Sequence, residues 1–185
     1  MLNFFRTGNI DKQLAERRPR LYRLAFSWCG DAMLADDLVQ ETLNKALVKQ
    51  SQLNDFSHVD AWLFRILHNC WMGYLRTNKP SIDIDDVNLI NEQSPDKKYN
   101  EQQVIERVRN GVEMLPLTQR QVVTLVDLEN CSYTQVAVIL DIPMGTVMSR
   151  LSRARALLKK YLIGMQKQGS YGVENPSHNH LRRVK

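Results

Sequence analysis

CSYTQVAVILDIPMGTVMSRLSRA, residues 131–154, is typical of two short helices joined by a turn. Ser132 suits the N-cap of the first helix, and residues 140–143 supply the turn. Pro143 and Gly145 then mark the entry to the second helix. The inward-facing positions of the first helix are Val136, Ala137 and Leu140. This spacing predicts a helix-turn-helix, a motif whose second helix enters the major groove of DNA.

The second helix combines an apolar stripe with a basic side. Residues 143–161 carry five basic side chains and no acid. At about 100° per residue, the stripe consists of Val147, Leu151, Ala154, Leu158 and Leu162. The stripe would anchor the helix on a core, so that the opposite side can face DNA. The candidates for groove contact are Thr146, Ser149, Arg150 and Arg153. A solvated basic face and a helical hairpin that serves only as scaffold are the alternative interpretations.

The charge of the chain is distributed unevenly. The formal net charge is +5, yet residues 1–100 hold 13 basic and 13 acidic side chains, so the whole excess lies in residues 101–185. That half is expected to bind a polyanion. No apolar run approaches the ~20 residues of a membrane span, and the amino terminus lacks the apolar core of a signal peptide. We therefore expect a cytoplasmic protein with no direct membrane insertion.

The chain is predicted to be all-α, with two small helical domains joined by an extended acidic linker and with the helix-turn-helix in the second domain. Residues 80–96 hold five acids and no base, which favours a solvated linker. The predicted boundaries are 8–78, 79–99 for the linker, 100–163, and 164–185 for a disordered tail. The predicted helices are 10–29, 32–50, 58–77, 100–114, 118–129, 132–140 and 144–162.

The cysteines and the tail histidines are not expected to form sites. Three cysteines lie far apart and form no CxxC pair, which predicts reduced thiols in or near a core, with redox sensing as the less favoured alternative. They are Cys29, Cys70 and Cys131. His178 and His180 lack further ligands, so solvated side chains are favoured over a metal site.

Residues 115–162, LPLTQRQVV through ALLKKYL, resemble the minus-35-binding domain of bacterial sigma factors of the extracytoplasmic-function (ECF) class. The resemblance implies that the four groove candidates above contact the minus-35 promoter element. Asp141 departs from the family, which usually has Gly in the turn, but Asp tolerates a left-handed backbone. Met148 stands where a basic residue is common, which removes one expected phosphate contact.

A second segment, DDLVQETLNKAL at residues 36–47, resembles the part of sigma factors that grips the clamp helices of the polymerase β′ subunit. Its polar residues occupy positions i, i+3, i+4 and i+7 and therefore share one helix face. They are Asp37, Gln40, Glu41 and Asn44. The resemblance implies that this face binds core polymerase, whereas most helix faces with this pattern are plain solvated faces.

A third segment, AWLFRILHNCWMGYLR at residues 61–76, resembles the family's minus-10 helix. Aromatic side chains mixed with cations suit unpaired DNA, because exposed bases stack and a cationic rim holds the backbone. The candidate minus-10 contacts are Trp62, Arg65, Asn69, Tyr74 and Arg76. The resemblance also implies that the loop at 51–60 receives a flipped base. Gly73 departs from the family's polar residue, and an aromatic-rich core helix is the alternative interpretation.

Together the resemblances imply an alternative sigma factor, which is not an enzyme and needs no cofactor and no metal. The implied partners are core RNA polymerase (β′ clamp helices and β flap), promoter DNA and an anti-sigma factor, which in this family is often membrane-anchored. No P-loop, HExxH or GxSxG motif appears in the sequence. Asp83, Asp85 and Asp86 of the linker are hypothesised to lie in the polymerase cleft. A helix-turn-helix activator acting with holoenzyme and an interaction protein remain alternatives.

Overall fold

The computed structural model describes residues 3–53, 58–78 and 101–169, and within these ranges the protein consists of helices and turns. Short 3₁₀ and π turns follow two of the helices, at Gln50–Gln52 and Thr124–Leu128. The α-helices are α1 Asn3–Cys29, α2 Ala32–Val48, α3 Val59–Asn78, α4 Glu101–Glu113, α5 Leu117–Val123, α6 Tyr133–Leu140 and α7 Met144–Gly169. The predicted all-α class is confirmed.

Helices α1, α2 and α3 pack on one another and form the first block. Gly30, at φ 70°, lets the chain turn sharply after α1, and its amide donates to the Phe26 carbonyl at 2.8 Å. The Asp31 carboxylate then caps α2 by accepting from the Leu34 amide at 2.8 Å. The residues that α2 buries against its neighbours are Ala35, Leu38, Val39, Thr42 and Ala46. The direction of α2, and with it the position of its polar face, is therefore set by its amino-terminal cap and by the core.

The helix-turn-helix is formed by α6 and α7. Ser132 and Gln135 make a reciprocal capping box, in which the Ser132 amide donates to Gln135 Oε1 at 2.8 Å and the Gln135 amide donates to Ser132 Oγ at 3.2 Å. Asp141 ends α6 in the left-handed region at φ 55° and ψ 49°. The predicted motif is confirmed, and Asp141 adopts the conformation for which Gly is the usual choice.

Helices α4 and α5 support this motif by packing on α7. Gly111 allows α4 to approach α7 closely, since a Cβ atom there would lie 3.1 Å from the Tyr161 ring and 3.2 Å from Leu158. The buried stripe of α7 begins with Val147, Leu151 and Ala154. This stripe packs over α5 and α6. The other sides of the amino-terminal half of α7 are therefore available to another partner.

The two blocks share one continuous core. Helices α4 to α7 form the second block. Its helix α6 packs on α3 of the first block, and α1 contacts both α4 and α5. Buried residues of both blocks, such as Leu24 and Leu67 of the first and Val122 and Val136 of the second, belong to the same cluster. The sequence made no prediction about whether the blocks lie together, and the structure shows them packed face to face.

Several boundaries differ from the sequence predictions. Helix α1 begins at Asn3 rather than at residue 10, and it continues through Pro19, whose ring is exposed. Helix α7 extends through Gly169, where residues 164–169 were predicted to belong to a disordered tail. Isolated glycines cost a helix only ~1 kcal/mol relative to Ala, so they do not stop a favourable run. The linker prediction, Asp83, Asp85 and Asp86, part of the 51–60 loop, and the tail histidines lie outside the described residues.

Among the described helices, none is both long enough and apolar enough to span a bilayer.

Candidate nucleic-acid and polymerase interfaces

The four residues predicted to contact the minus-35 element all lie on α7, but they differ in exposure. Arg153 is exposed, whereas Thr146, Ser149 and Arg150 are half-buried. The Ser149 hydroxyl donates to the Thr146 carbonyl at 3.1 Å, so it is already used within the helix. Arg153 is therefore the most accessible of the predicted groove contacts.

The exposed side of α7 also carries residues that the sequence reasoning did not select. They are Met144, Gly145, Met148 and Ser152. On a helical wheel, Met144, Met148 and Ser152 follow one edge beside the buried stripe, because positions four residues apart stack along a helix, whereas Gly145 lies nearly opposite the stripe. The groove contacts predicted from the sequence were hydroxyl and guanidinium groups, chosen for their hydrogen bonds, so neither methionine was among them.

One of the five cations of the α7 run is held within the protein. Arg155 donates to both carboxylate oxygens of Asp127, at 2.5 Å from Nη2 and 3.1 Å from Nε. The hydrogen bond to Asp127 is the main reason why the pKa of Arg155 lies above its usual value. This bidentate pair ties α7 to the turn before α6, and it fixes the orientation of the helix more than it adds to a DNA-binding charge.

The predicted polymerase-binding residues lie together on α2. All four are exposed, and they line one open groove on the helix surface with Lys45, Val48 and Lys49. Glu41 pairs with Lys45 at 2.6 Å, whereas Asp37 has no ion-pair partner within the described ranges. The structure thus presents a continuous polar face with free acceptors on α2.

The predicted minus-10 residues separate into a strip and an outlier. Trp62, Arg65, Asn69 and Arg76 are spaced by three, four and seven residues and follow one side of α3, where all but the half-buried Trp62 are exposed. Tyr74 lies nearly half a turn away from the middle of this strip and stacks on Trp71, with 5.7 Å between ring centroids. The structure therefore brings four of the five candidates together and places Tyr74 on a different side.

The minus-10 strip faces the helix-turn-helix across a cleft. His58, Ala61, Trp62 and Arg65 form one wall, and the other wall comes from α6. The α6 residues are Thr134, Gln135 and Val138. A nucleic-acid strand would have to enter this cleft to reach Trp62.

The interface between the first and second blocks, the seam, has buried polar contacts at its centre. The Trp28 indole Nε1 donates to Thr124 Oγ1 at 2.9 Å, and both side chains are 0% exposed. Nearby, the Gln121 amide nitrogen lies 3.2 Å from His68 Nδ1, and the His68 ring meets Trp28 edge to face. Burial lowers the pKa of His68 from 6.5 to about 4, so the imidazole is neutral at physiological pH.

Two arginines border this centre. Arg120 is 2% exposed and donates to the Trp28 carbonyl at 3.2 Å and to Leu115 at 3.0 Å, so it joins the carboxyl ends of α1 and α4. At the rim, Arg20 pairs with Glu129 of the second block and with Asp60 of the first, the latter at 2.5 Å. The contact between the blocks is thus partly apolar and partly polar.

A second opening between the blocks is mainly apolar. A groove of about 520 Å³ lies between α1 and α4, with Tyr22 and Phe26 on one wall and Ile105 and Val108 on the other. Arg23 and Arg109 stand at its edge and form no ion pair with any residue that the structure describes. The groove exists because the blocks lie side by side.

All three cysteines are buried and unpaired, as predicted. Burial is the main reason why the pKa of each thiol is raised, to about 11 for Cys131. Such thiols are poor nucleophiles at neutral pH.

Two family models match the two blocks in chain order. Sigma-70 region 2 matches residues 14–80, and sigma-70 region 4 matches residues 105–158. The ECF RNA polymerase sigma factor EcfG of Rhodopseudomonas palustris is 33% identical over 156 residues, which are 84% of this chain and 86% of that relative. The ECF RNA polymerase sigma factor SigM of Bacillus subtilis is 29% identical over 141 residues, which are 75% of this chain and 86% of the relative.

Solved structures show the same fold. The sigma factor RpoE of Bartonella quintana, determined in complex with the anti-sigma factor NepR, superposes with a TM-score of 0.67 at 29% identity, over 84% of this chain and 97% of that chain. CnrH, determined in complex with the cytosolic domain of CnrY, superposes with a TM-score of 0.58 at 24% identity, over 83% of this chain and 87% of that chain.

Proposed function

The chain belongs to the ECF class of sigma-70 RNA polymerase sigma factors, which are transcription initiation factors, and we propose that it performs this role through three surfaces, on α2, α3 and α7. The observation that carries the proposal is that the three predicted faces occur in one chain in the family's order, each on a separate helix and each at least partly exposed.

The α2 face binds core RNA polymerase at the β′ clamp helices. Asp37, Gln40 and Glu41 offer two carboxylates and an amide on consecutive turns, and the groove they line is open to solvent. Acceptors of this kind complement arginine and lysine donors on a partner. The second block would contribute a separate contact to the β flap.

The α3 strip captures the minus-10 element. Trp62 offers a ring for stacking, while Arg65, Asn69 and Arg76 follow the same side of the helix and suit a phosphate backbone. Tyr74 contributes less directly, because its ring is already stacked on Trp71.

The amino-terminal half of α7 recognises the minus-35 element in duplex DNA. The capping box, the left-handed Asp141 and the Asp127–Arg155 pair fix the direction of the helix pair. Arg153 is exposed on the side opposite the buried stripe, where a helix-turn-helix places its base and phosphate contacts.

The packed arrangement of the blocks is a closed form that must open at a promoter. The names of the minus-35 and minus-10 elements place them about 25 base pairs apart, which is about 85 Å of duplex at roughly 34 Å per 10 base pairs. A compact chain of this length has a radius of gyration of only ~16 Å. Because α6 packs on α3, the two DNA-reading surfaces cannot reach both elements together. Core polymerase would therefore bind the open form and shift the population toward it.

An anti-sigma factor is the expected negative partner. The groove between α1 and α4 supports this proposal, because an apolar surface with two unpaired guanidinium groups at its edge suits an amphipathic segment of a protein. The superposable RpoE was itself determined with an anti-sigma factor.

Run-off transcription tests the function directly. Genomic fragments are transcribed with core polymerase alone and with the protein added, and the new start sites are mapped. We expect new starts that share elements upstream. The charge reversal Glu41→Lys should weaken binding to core polymerase by about tenfold or more, because like charges placed opposite each other at an interface cost several kcal/mol. The matched reversal Glu16→Lys, at an exposed position of α1, should leave this binding unchanged. If core polymerase gains no start while holoenzyme containing the housekeeping sigma is stimulated, the protein is an activator instead.

A further inference from the structure

The first two turns of α7 expose two methionines at the position where a recognition helix meets the bases. Met144 is 50% exposed and Met148 is 51% exposed. They lie four residues apart and therefore one above the other on the same edge of the helix, with Ser152 continuing the edge. Two stacked thioether side chains form a small apolar surface at the end of the helix that a helix-turn-helix inserts into the major groove.

The edge differs chemically from the rest of the exposed side. The half-buried Thr146 and Arg150 lie on the other flank, and the charged residue nearest in angle to the methionines, Arg155, is occupied by Asp127. A thioether neither neutralises a phosphate nor makes the bidentate hydrogen bonds by which side chains read guanine or adenine. In the major groove the one apolar group that distinguishes a base is the C5-methyl of thymine.

We propose that Met144 and Met148 read thymine methyl groups in the minus-35 element and so set the sequence preference of this sigma factor. The inference rests on the proposed minus-35 recognition and adds to it the base and the atom that are recognised. Methionine suits the role because its unbranched, polarisable side chain adapts to the exact height of a methyl group. It also removes a phosphate contact, so the element would be recognised more by its bases and less by its charge.

The expected size of the effect follows from burial of one methyl group. Each thymine methyl that contacts a methionine should tighten binding about fourfold, the equivalent of about 0.8 kcal/mol. Two contacts would together give about a 15-fold preference. Replacing a methionine by arginine should make binding depend less on the thymine methyl and more on charge. Each added phosphate contact steepens the slope of log K against log salt concentration by ~0.9.

Deoxyuridine provides the test, because it differs from thymidine only by the absence of the methyl. Holoenzyme reconstituted from core polymerase and this chain first selects duplexes from a library randomised across the minus-35 region. Each thymine of a selected duplex is then replaced singly by deoxyuridine, and binding to holoenzyme is measured. The variants are Met144→Ala and Met148→Ala, with Leu157→Ala, an exposed residue of the same helix, as the matched control.

We expect one or two replacements to weaken binding about fourfold, and we expect this sensitivity to disappear in the methionine variants but to persist in Leu157→Ala. Met148→Arg should lose the sensitivity and steepen the salt dependence. If holoenzyme binds the selected duplexes equally well when thymidine is replaced by deoxyuridine, the inference is overturned, whereas minus-35 recognition itself stays intact. Methionine variants that retain the full sensitivity would also overturn it. If holoenzyme selects no shared sequence, the proposed minus-35 function itself fails.

Discussion

The hydrogen bond between Trp28 and Thr124 provides a direct test of the closed form. Thr124→Val keeps the shape of the side chain but removes the acceptor for the indole N–H, which is completely buried at 2.9 Å from its partner. A buried donor left without an acceptor costs about 1–3 kcal/mol. This penalty applies when the blocks are packed, because in the open form water can accept the indole N–H. The equilibrium constant between the closed and the open form should therefore shift toward the open form by about 5- to 150-fold.

The consequence should be measurable as tighter binding to core polymerase. If the binding-competent open form is a minor population, the apparent Kd falls in proportion to the rise in that population. Titration of labelled core polymerase with wild type and Thr124→Val gives this ratio, and tryptophan emission of the free variant should shift to the red as Trp28 meets water. The expected gain in affinity is about fivefold or more.

Thr42→Val is the matched control. Thr42 is also 0% exposed and donates to a carbonyl in the preceding turn, that of Leu38 at 2.7 Å, but all of this lies within the first block. The Thr42→Val substitution should lower the melting temperature without changing the affinity for core polymerase. Equal polymerase affinity for wild type and Thr124→Val, with an unchanged emission spectrum, would show that the seam does not oppose polymerase binding.

Further predictions concern stability and reactivity. Ser132→Ala should lower the free energy of unfolding by about 0.5–2 kcal/mol in urea titrations, because it removes the capping box, whereas Asp141→Gly should be neutral or stabilise by up to ~1 kcal/mol, because Gly adopts φ 55° without steric cost. Since burial lowers the pKa of His68 from 6.5 to about 4, the unfolded chain takes up the proton first; stability from neutral His68 is complete above pH 6.5 and is lost as the pH falls toward 4, by at most ~3 kcal/mol. Unfolding at pH 7 and pH 5 should show this slope, and His68→Gln should reduce it. The buried thiols should resist iodoacetamide at pH 8 in the native protein and react in urea; rapid native alkylation would contradict the raised pKa values of Cys29, Cys70 and Cys131.

The helix-turn-helix was predictable because its signals are local. The Ser132 cap, the turn at residues 140–143 and the apolar spacing of Val147 and Leu151 act within a few residues of one another, and each is present in the structure. Asp141 could be predicted to tolerate the turn for the same reason, since left-handed backbone depends on the residue itself.

The seam between the blocks was not predictable from such signals. Gln121 lies in α5 and Thr124 in the π turn that follows it. Nothing in their own neighbourhood indicates that they meet His68 and Trp28, which lie 53 and 96 residues away in the chain. Likewise, the periodicity of α3 predicts the strip from Trp62 to Arg76 but not that α6 forms the opposite wall of the cleft. Contacts of this length depend on tertiary packing, which one sequence does not reveal.

The chemistry of the seam suits a contact that forms and breaks. At its centre are a threonine, a glutamine and a neutral histidine, which regain hydrogen bonds from water when the blocks separate. The pair of Arg20 and Glu129 lies at the rim, where Arg20 keeps Asp60 as a partner within its own block. When the second block separates, the Arg20 guanidinium therefore remains paired. Arg120 loses its hydrogen bond to the Trp28 carbonyl but keeps the one to the Leu115 carbonyl. A seam built only of leucine and valine would hold the blocks together more firmly, because its whole apolar area would be exposed to water when the blocks separate. We therefore infer that the polar groups at the seam keep the closed form within a few kcal/mol of the open one, a range that the binding of polymerase can supply.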